Sequence, residues 1–142
     1  MSPPEPSESA PDPLIGQVLG GKWRVVRLVG RGGMGAVYEG QNVGIGKRVA
    51  LKLIDAEYAR SPEVASRCQR EAEAASLVES AHIVQVFDSG ATDAGVPYIV
   101  MELLRGEDLR ARIRRLGKLP VAEAVHVVAQ VLRGLCRAHE AG

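Results

Sequence analysis

A glycine-rich turn between two strand-like segments is the feature that most constrains the fold of this 142-residue chain. Gly30, Gly32 and Gly35 follow the spacing G-x-G-x-x-G, and Gly33 lies between them. Glycine permits positive φ and lets backbone N–H groups approach a phosphate with no Cβ in the way. The spacing alone does not identify a fold, because dinucleotide-binding folds share it.

The residues on either side of the glycines indicate a hairpin. Residues 23–29 read W-R-V-V-R-L-V and residues 36–40 read A-V-Y-E-G, both with the β-branched and aromatic residues that favour strands. A dinucleotide-binding fold would instead begin a helix after the turn. The sequence therefore predicts two strands joined by a lid over phosphates, and the alternative is an ordinary glycine-rich hairpin.

A lysine interrupts the next apolar strand. Residues 48–54 read R-V-A-L-K-L-I, and the alternation of a strand puts Ala50 and Lys52 on the same face. This pair suits a flat base near Ala50 with phosphates near Lys52, although a lysine at an ordinary strand surface is the alternative. An unpaired lysine is costly to bury, so we expect a carboxylate partner.

The following segment is predicted to be a helix that supplies this carboxylate. Ser61 suits the N-cap position, and the pattern predicts a helix that runs to about Ser80. Glu71 falls in a stripe of apolar and small residues at helical spacing, whereas Glu73 points outward. We therefore expect Glu71 to face inward and to pair with Lys52.

Five segments in order resemble the protein kinases, and more narrowly the eukaryotic-like serine/threonine kinases of bacteria. The segments are G-G-M-G in the turn, V-A-L-K in the strand, R-E-A-E on the helix, I-V-Q-V-F-D-S-G at 83–90 and P-Y-I-V-M-E at 97–102. The resemblance runs from about Trp23 to Gly142. It implies the N-terminal portion of an enzyme that transfers a phosphoryl group from ATP to serine or threonine in proteins, with Mg²⁺ expected in the full-length family.

The resemblance also implies roles for individual residues. The loop glycines would cover the ATP phosphates, Lys52 would hold the α- and β-phosphates, and Glu71 would pair with Lys52. Met101 would lie at the back of the adenine pocket. The backbone of Glu102 and Leu104 would hydrogen-bond the adenine edge.

The apolar roof over adenine is implied to consist of Val29, Val37 and Ala50. Two interpretations stay open for Asp108, which are a ribose contact and the start of the next helix. The complete set of residues expected to bind ATP is Val29, Gly30, Gly32, Gly33, Gly35, Val37, Ala50, Lys52, Glu71, Met101, Glu102, Leu104 and Asp108.

The predicted architecture is α+β. It resembles the protein-kinase small lobe, with a five-stranded antiparallel sheet and one helix, followed by the first two helices of the large lobe. Residues 1–22 are predicted to be a disordered proline-rich tail and lead-in, residues 23–103 the small lobe with the start of the hinge, and residues 104–142 the start of the large lobe. The predicted strands are 23–29, 36–41, 48–54, 83–90 and 96–102, and the later helices are near 108–116 and 120–141.

The last predicted helix carries an apolar stripe at helical spacing, made of Val121, Val125, Val128, Leu132 and Leu135. In a full kinase the large lobe would bury this stripe. Leaving each side chain exposed forgoes about 1.5–3 kcal/mol. We therefore expect the helix of this chain in isolation to fray, to self-associate or to bind a chaperone.

The sequence contains no match to the motifs that transfer the phosphoryl group, which are H-R-D, D-F-G and A-P-E. The resemblance would place the first of them just after residues 139–142. We therefore expect neither catalytic nor metal-ligating residues here, and no activity of the chain alone. A fragment of a kinase is favoured, and the alternative is a non-catalytic nucleotide-binding or regulatory interaction module.

Composition and charge argue against several partners. A net charge of +1 gives no electrostatic case for nucleic acid, and the basic residues between Arg105 and Lys118 are spaced like the solvated face of a helix. No apolar run approaches the ~20 residues of a membrane helix, and the first residues do not resemble a signal peptide. Cys68 and Cys136 are interpreted as reduced, buried thiols, which predicts a cytoplasmic location.

Overall fold

The computed structural model describes residues 11–142, and residues 1–10, the first part of the predicted disordered tail and lead-in, lie outside the described residues. The chain forms one antiparallel sheet with helices inserted in it and following it. The elements in order are β1 (Val18–Leu19), β2 (Trp23–Gly32), β3 (Gly35–Asn42), β4 (Arg48–Ile54), α1 (Ala56–Ala59), α2 (Pro62–Ser76), β5 (Val86–Ala91), β6 (Pro97–Met101), α3 (Leu109–Leu116) and α4 (Val121–Ala141).

The sheet has six strands in the order β1-β2-β3-β4-β6-β5, so the α+β class is as predicted but the count of five strands is wrong. The additional strand, β1, comes from the lead-in, where only two residues pair with β2. Its Leu19 is buried in the core cluster. A two-residue strand is too short to show the period of two by which strands are recognised.

The core lies against one face of the sheet. Tyr38 of β3 is opposite Leu51 of β4, and Leu51 is opposite Val100 of β6. Directly opposite residues of antiparallel strands share a face, and these three side chains are almost completely buried. We call this the core face, and the residues that alternate with them point to the other face.

Helix α2 packs against β5 and β6, and Ala72 is its buried residue. The helix ends at Ser76, earlier than the predicted end at Ser80, and β5 starts at Val86 rather than at residue 83. Turns occupy part of the intervening segment, where the Ser80 hydroxyl accepts a hydrogen bond from the His82 N–H at 3.1 Å. Local side-chain hydrogen bonds of this kind compete with regular structure.

Helix α4 packs closely on the segment before β5. A Cβ added at Gly134 would lie 3.1 Å from the carbonyl oxygen of His82, so the small residue permits this approach. The predicted stripe from Val121 to Leu135 faces away from this contact and its five members are 47–80% exposed. Cys136 on the same helix is exposed, so the prediction that it is buried is wrong.

The basic residues of α3 are partly neutralised by carboxylates at the start of each late helix. Arg115 is 3.1 Å from Glu107 through its Nε, and Arg112 pairs with both Glu107 and Glu123. These ion pairs hold the pKa of the Glu107 and Glu123 carboxyls below their usual range. The pairing supports the interpretation of this face as a solvated, ion-paired surface.

Candidate functional site

The register of the sheet brings the predicted base and phosphate contacts to one face. Lys52 of β4 lies opposite Val37 of β3. Ala50 lies opposite Met101 of β6. All four point away from the core face, because they alternate with its buried residues. We call this the lysine face.

Side chains on the lysine face become more exposed toward Lys52. Ala50 is 6% exposed and Met101 is half-buried, whereas the Lys52 side chain is exposed. Val29, at the edge near the turn, is 49% exposed. The face thus offers an apolar surface next to a cation, an arrangement suited to a ligand with a flat apolar part and an anionic part.

The glycine-rich turn leaves open space beside three of its glycines. A Cβ added at Gly30, Gly32 or Gly33 would meet no heavy atom within 4 Å. None of the four turn glycines has positive φ, so the backbone freedom that glycine permits is not used here. Their contribution is instead the free space that lets a ligand approach the backbone.

Gly35 is required for a different reason. A Cβ added there would lie 2.0 Å from the carbonyl oxygen of Leu53 and 3.1 Å from the Cα of Ile54. Glycine is therefore the residue that lets the hairpin close on β4, and the packing of β3 on β4 holds the turn beside the lysine face.

The expected pair between Lys52 and Glu71 is not formed, since the ion pairs among residues 11–142 include none that joins them. Glu71 is exposed and its carboxylate accepts a hydrogen bond from Arg67 at 2.8 Å. The prediction that Glu71 faces inward is wrong in this structure, because the inward face of α2 is centred on Ala72. Arg67, one helical turn earlier on the same helix, competes for the Glu71 carboxylate. Glu73 points outward, as predicted.

A buried carboxylate on the lysine face was not predicted. Glu39, opposite Ala50, is 5% exposed and lies between two arginines. Its carboxylate is 2.6 Å from the Nε of Arg27 and 2.6 Å from the Nε of Arg48. The hydrogen bond from Arg48 lowers the pKa of Glu39, so the carboxylate stays charged at neutral pH. The signal in the sequence was one charged residue on each of three successive strands, with Glu39 on β3 between Arg27 on β2 and Arg48 on β4.

The segment after β6 has free backbone groups at the predicted adenine edge. The Glu102 N–H donates to the carbonyl oxygen of Gln85 at 2.9 Å, which fixes the strand end. Among the described residues no hydrogen bond involves the Leu104 N–H or the Glu102 carbonyl. One acceptor and one donor are thus available beside Met101.

Asp108 begins α3. Its carboxylate accepts a hydrogen bond from the Ala111 N–H at 2.7 Å, which is the geometry of an N-cap. This observation supports the helix-start interpretation, and a ribose contact stays a prediction. One carboxylate oxygen carries the cap.

Neither a metal-binding cluster nor a membrane-spanning helix occurs in the part of the chain that the structure describes. No group of three or more His, Cys, Asp or Glu side chains that could hold a metal ion occurs in residues 11–142. In the same part of the chain, every helix is too short or too polar to cross a membrane.

Comparison with known proteins is consistent with this geometry. The family model described as "Protein kinase domain" matches residues 23–142. Serine/threonine-protein kinase Pkn1 of Myxococcus xanthus is 43% identical over 96% of this chain and 19% of the relative. Serine/threonine-protein kinase PknE of Mycobacterium bovis is 43% identical over 86% of this chain and 21% of the relative. The chain thus spans about a fifth of these curated relatives.

A solved structure extends the agreement to three dimensions. The crystal structure of the Mycobacterium tuberculosis PknI kinase domain is similar with a TM-score of 0.79 and 34% sequence identity. The match covers 89% of this chain and 51% of that chain. Half of such a domain therefore corresponds to the six-stranded sheet and the helices described above.

Proposed function

Since this chain belongs to the protein kinase family, we propose that it binds Mg²⁺-ATP on the lysine face and forms the ATP-binding portion of a serine/threonine protein kinase. The observation that carries the proposal is the shared face of Val37, Ala50, Lys52 and Met101 beside the open glycine-rich turn. The apolar surface on this face suits the adenine base, and the lysine on the same face suits the phosphates.

The residues present fit the nucleotide part by part. Adenine would lie against Val37 and Ala50, and the Glu102 carbonyl and the Leu104 N–H would accept from and donate to its edge. The turn would offer backbone N–H groups to the phosphates, and Lys52 would supply the positive charge. ATP supplies the phosphoryl group that the family transfers.

The same residues do not fit a protein-held Mg²⁺ site. Kinases use an Asn and the D-F-G Asp for the metal, and no segment of the sequence matches D-F-G. We therefore assign no Mg²⁺ ligand to this chain, and the ion would be held by the nucleotide phosphates.

We propose that the chain by itself does not transfer the phosphoryl group. No segment matches H-R-D, which carries the Asp that orients the substrate hydroxyl. In addition, the Lys–Glu pair on which kinase activity depends is absent from the described part of the chain, where Glu71 is paired with Arg67. Protein substrates would engage a full-length kinase of this family.

We also propose a cytoplasmic location, on the interpretation of the two cysteines as reduced thiols.

Calorimetric titration of Mg²⁺-ATP into the 142-residue chain tests the binding proposal, and saturable binding near one nucleotide per chain is expected. A companion assay for transfer of labelled phosphate to a generic protein substrate should stay at background. Transfer by the chain alone would overturn the assignment of its role.

A second candidate function is docking to another protein chain through α4, and a second copy of this chain is the partner tested below. The observation in its favour is the exposed stripe, in which Val121 is 80% and Leu132 is 55% exposed. An exposed row of large apolar side chains on one helix face is typical of an interaction surface. In this reading the chain would be an interaction module rather than a nucleotide-binding one.

Leu132→Asp is expected to weaken association through this stripe by about tenfold or more, because burying one leucine contributes about 1.5–3 kcal/mol. Sedimentation velocity over a range of concentrations measures self-association of the wild type and the variant. His126→Asp is the matched control, since His126 is exposed on another face of α4. A wild-type monomer with α4 cooperatively folded by circular dichroism would contradict the expectation.

A further inference from the structure

The lead-in before β1 is fastened to the sheet at Asp12. The Asp12 carboxylate accepts a hydrogen bond from the Leu14 N–H at 3.0 Å, which closes a local turn. The segment is also joined to β2, where the Gly16 N–H donates to the Val25 carbonyl and the Val25 N–H donates to the Gln17 carbonyl, both at 2.8 Å. The position of Asp12 is therefore fixed relative to the hairpin.

The same carboxylate holds two side chains of the glycine-rich hairpin. The Tyr38 hydroxyl donates to Asp12 Oδ2 at 2.7 Å, and Arg31 Nη2 donates to the same oxygen at 3.2 Å. The Asp12 side chain is 15% exposed, whereas that of Arg31 is 60% exposed, so the contact is partly shielded from water on the Asp12 side. Arg31 belongs to the turn itself, between Gly30 and Gly32.

These contacts lie behind the lysine face. Arg31 is opposite Ala36 in the hairpin register, and Ala36 and Tyr38 both point to the core face. Val37, between them, points to the lysine face. Asp12 thus contacts the hairpin from the core face of the sheet, and the proposed nucleotide would lie on the opposite, lysine face.

The charge state of Asp12 suits this contact. The hydrogen bond from Tyr38, followed by that from the Leu14 N–H, lowers the pKa of Asp12. Burial raises the pKa of Tyr38, with the hydrogen bond to Asp12 as the next cause. The pair is therefore carboxylate and phenol at neutral pH, and charge-assisted hydrogen bonds of this kind are the stronger ones.

We propose that Asp12 is a positioning residue that holds the glycine-rich turn in its phosphate-binding geometry from the opposite face of the sheet. The proposal rests on the proposed function, because the nucleotide must bind under the turn for the position of the turn to matter. Asp12 touches no part of the nucleotide and acts through Arg31 and Tyr38. The nucleotide-binding unit would then include the lead-in before residue 23.

Asp12→Ala tests the proposal, with Asp93→Ala as the matched control. Asp93 lines the same cavity of about 480 Å³ on the core face, and no hydrogen bond among the described residues involves its carboxylate. We expect Asp12→Ala to speed amide hydrogen exchange of residues 32–38 without nucleotide by about threefold to tenfold, and to raise the Kd for Mg²⁺-ATP by a similar factor. Asp93→Ala should change neither quantity.

A double-variant cycle separates positioning from general destabilisation. If Asp12 acts through Arg31, Asp12→Ala should have a smaller effect on Kd in the Arg31→Met background. Equal effects in both backgrounds, an unchanged exchange rate in residues 32–38, or faster exchange at Leu51 and Val100 as well would overturn the proposal.

Two outcomes keep the tests of site and positioning distinct. If the wild type does not bind Mg²⁺-ATP, the proposed function fails, and the exchange rates without nucleotide still decide whether Asp12 holds the turn. If Asp12→Ala does not fold, Arg31→Met takes its place, because Arg31 is 60% exposed and its loss leaves the core intact. Faster exchange in the turn of that variant supports the proposal, and unchanged exchange contradicts it.

Discussion

Lys52→Met is expected to weaken binding of Mg²⁺-ATP by about tenfold to a hundredfold. The lysine is the cation on the lysine face next to the open turn, and a hydrogen bond to a charged group contributes about 1.5–3 kcal/mol. Methionine has a similar length and no charge, so the apolar stem is kept and the phosphate contact is lost. Calorimetric titration of wild type and variant measures the difference.

The matched control for this variant is Lys118→Met. Lys118 is exposed in the turn between α3 and α4, far along the chain from the sheet, and its replacement removes the same charge. Equal weakening in both variants would indicate that ATP is attracted by net charge alone. Unchanged affinity in Lys52→Met would remove Lys52 from the site.

Gly35→Ala is expected to destabilise the chain by about 1–3 kcal/mol and to abolish or strongly weaken ATP binding. The added Cβ would lie 2.0 Å from the Leu53 carbonyl oxygen, and backbone atoms cannot move aside as a flexible side chain does. The hairpin must therefore shift away from β4, which carries Lys52. Thermal or denaturant unfolding measures the stability change, and the ATP titration measures the loss of the site.

Gly33→Ala is the control for this substitution. It adds the same methyl group two residues earlier, where no heavy atom lies within 4 Å and φ is not positive. We expect its stability to change by less than about 0.5 kcal/mol. If the two variants unfold at the same midpoint, the close approach of β3 to β4 is not what Gly35 provides.

Most of the sheet was predictable because its strands carry local signals. The apolar run of β4 and the glycines that bound β2 and β3 define those strands within the sequence, and β4 was predicted with its observed bounds Arg48–Ile54. The strand β1 and the end of α2 at Ser76 were not. The end of α2 is followed by turns with local side-chain hydrogen bonds, which an apolar pattern does not reveal. Pairing of two residues with β2 has no period that a sequence can display.

The candidate site was predictable where the alternation of side chains along a strand determines which face a residue lies on. It was not predictable where two basic side chains compete for one carboxylate. Ala50 and Lys52 share a face by the geometry of any strand, and the structure has them so. The partner of Glu71 depended on the choice between Lys52 on another element and Arg67 one helical turn away. The contact of Asp12 with Tyr38 joins residues 26 positions apart, and neither residue carries a local sign of the other.

The central claim is that Mg²⁺-ATP binds on the lysine face, under the glycine-rich turn, and hydrogen exchange of the 142-residue chain with and without saturating Mg²⁺-ATP tests it most directly. We predict slower exchange at the amides of residues 30–38 and at Leu104, with little change in the β5–β6 turn around Asp93 on the opposite side of the sheet. Slower exchange around Asp12 and Asp93 with none in residues 30–38 would contradict the account, as would an exchange pattern that ATP does not alter.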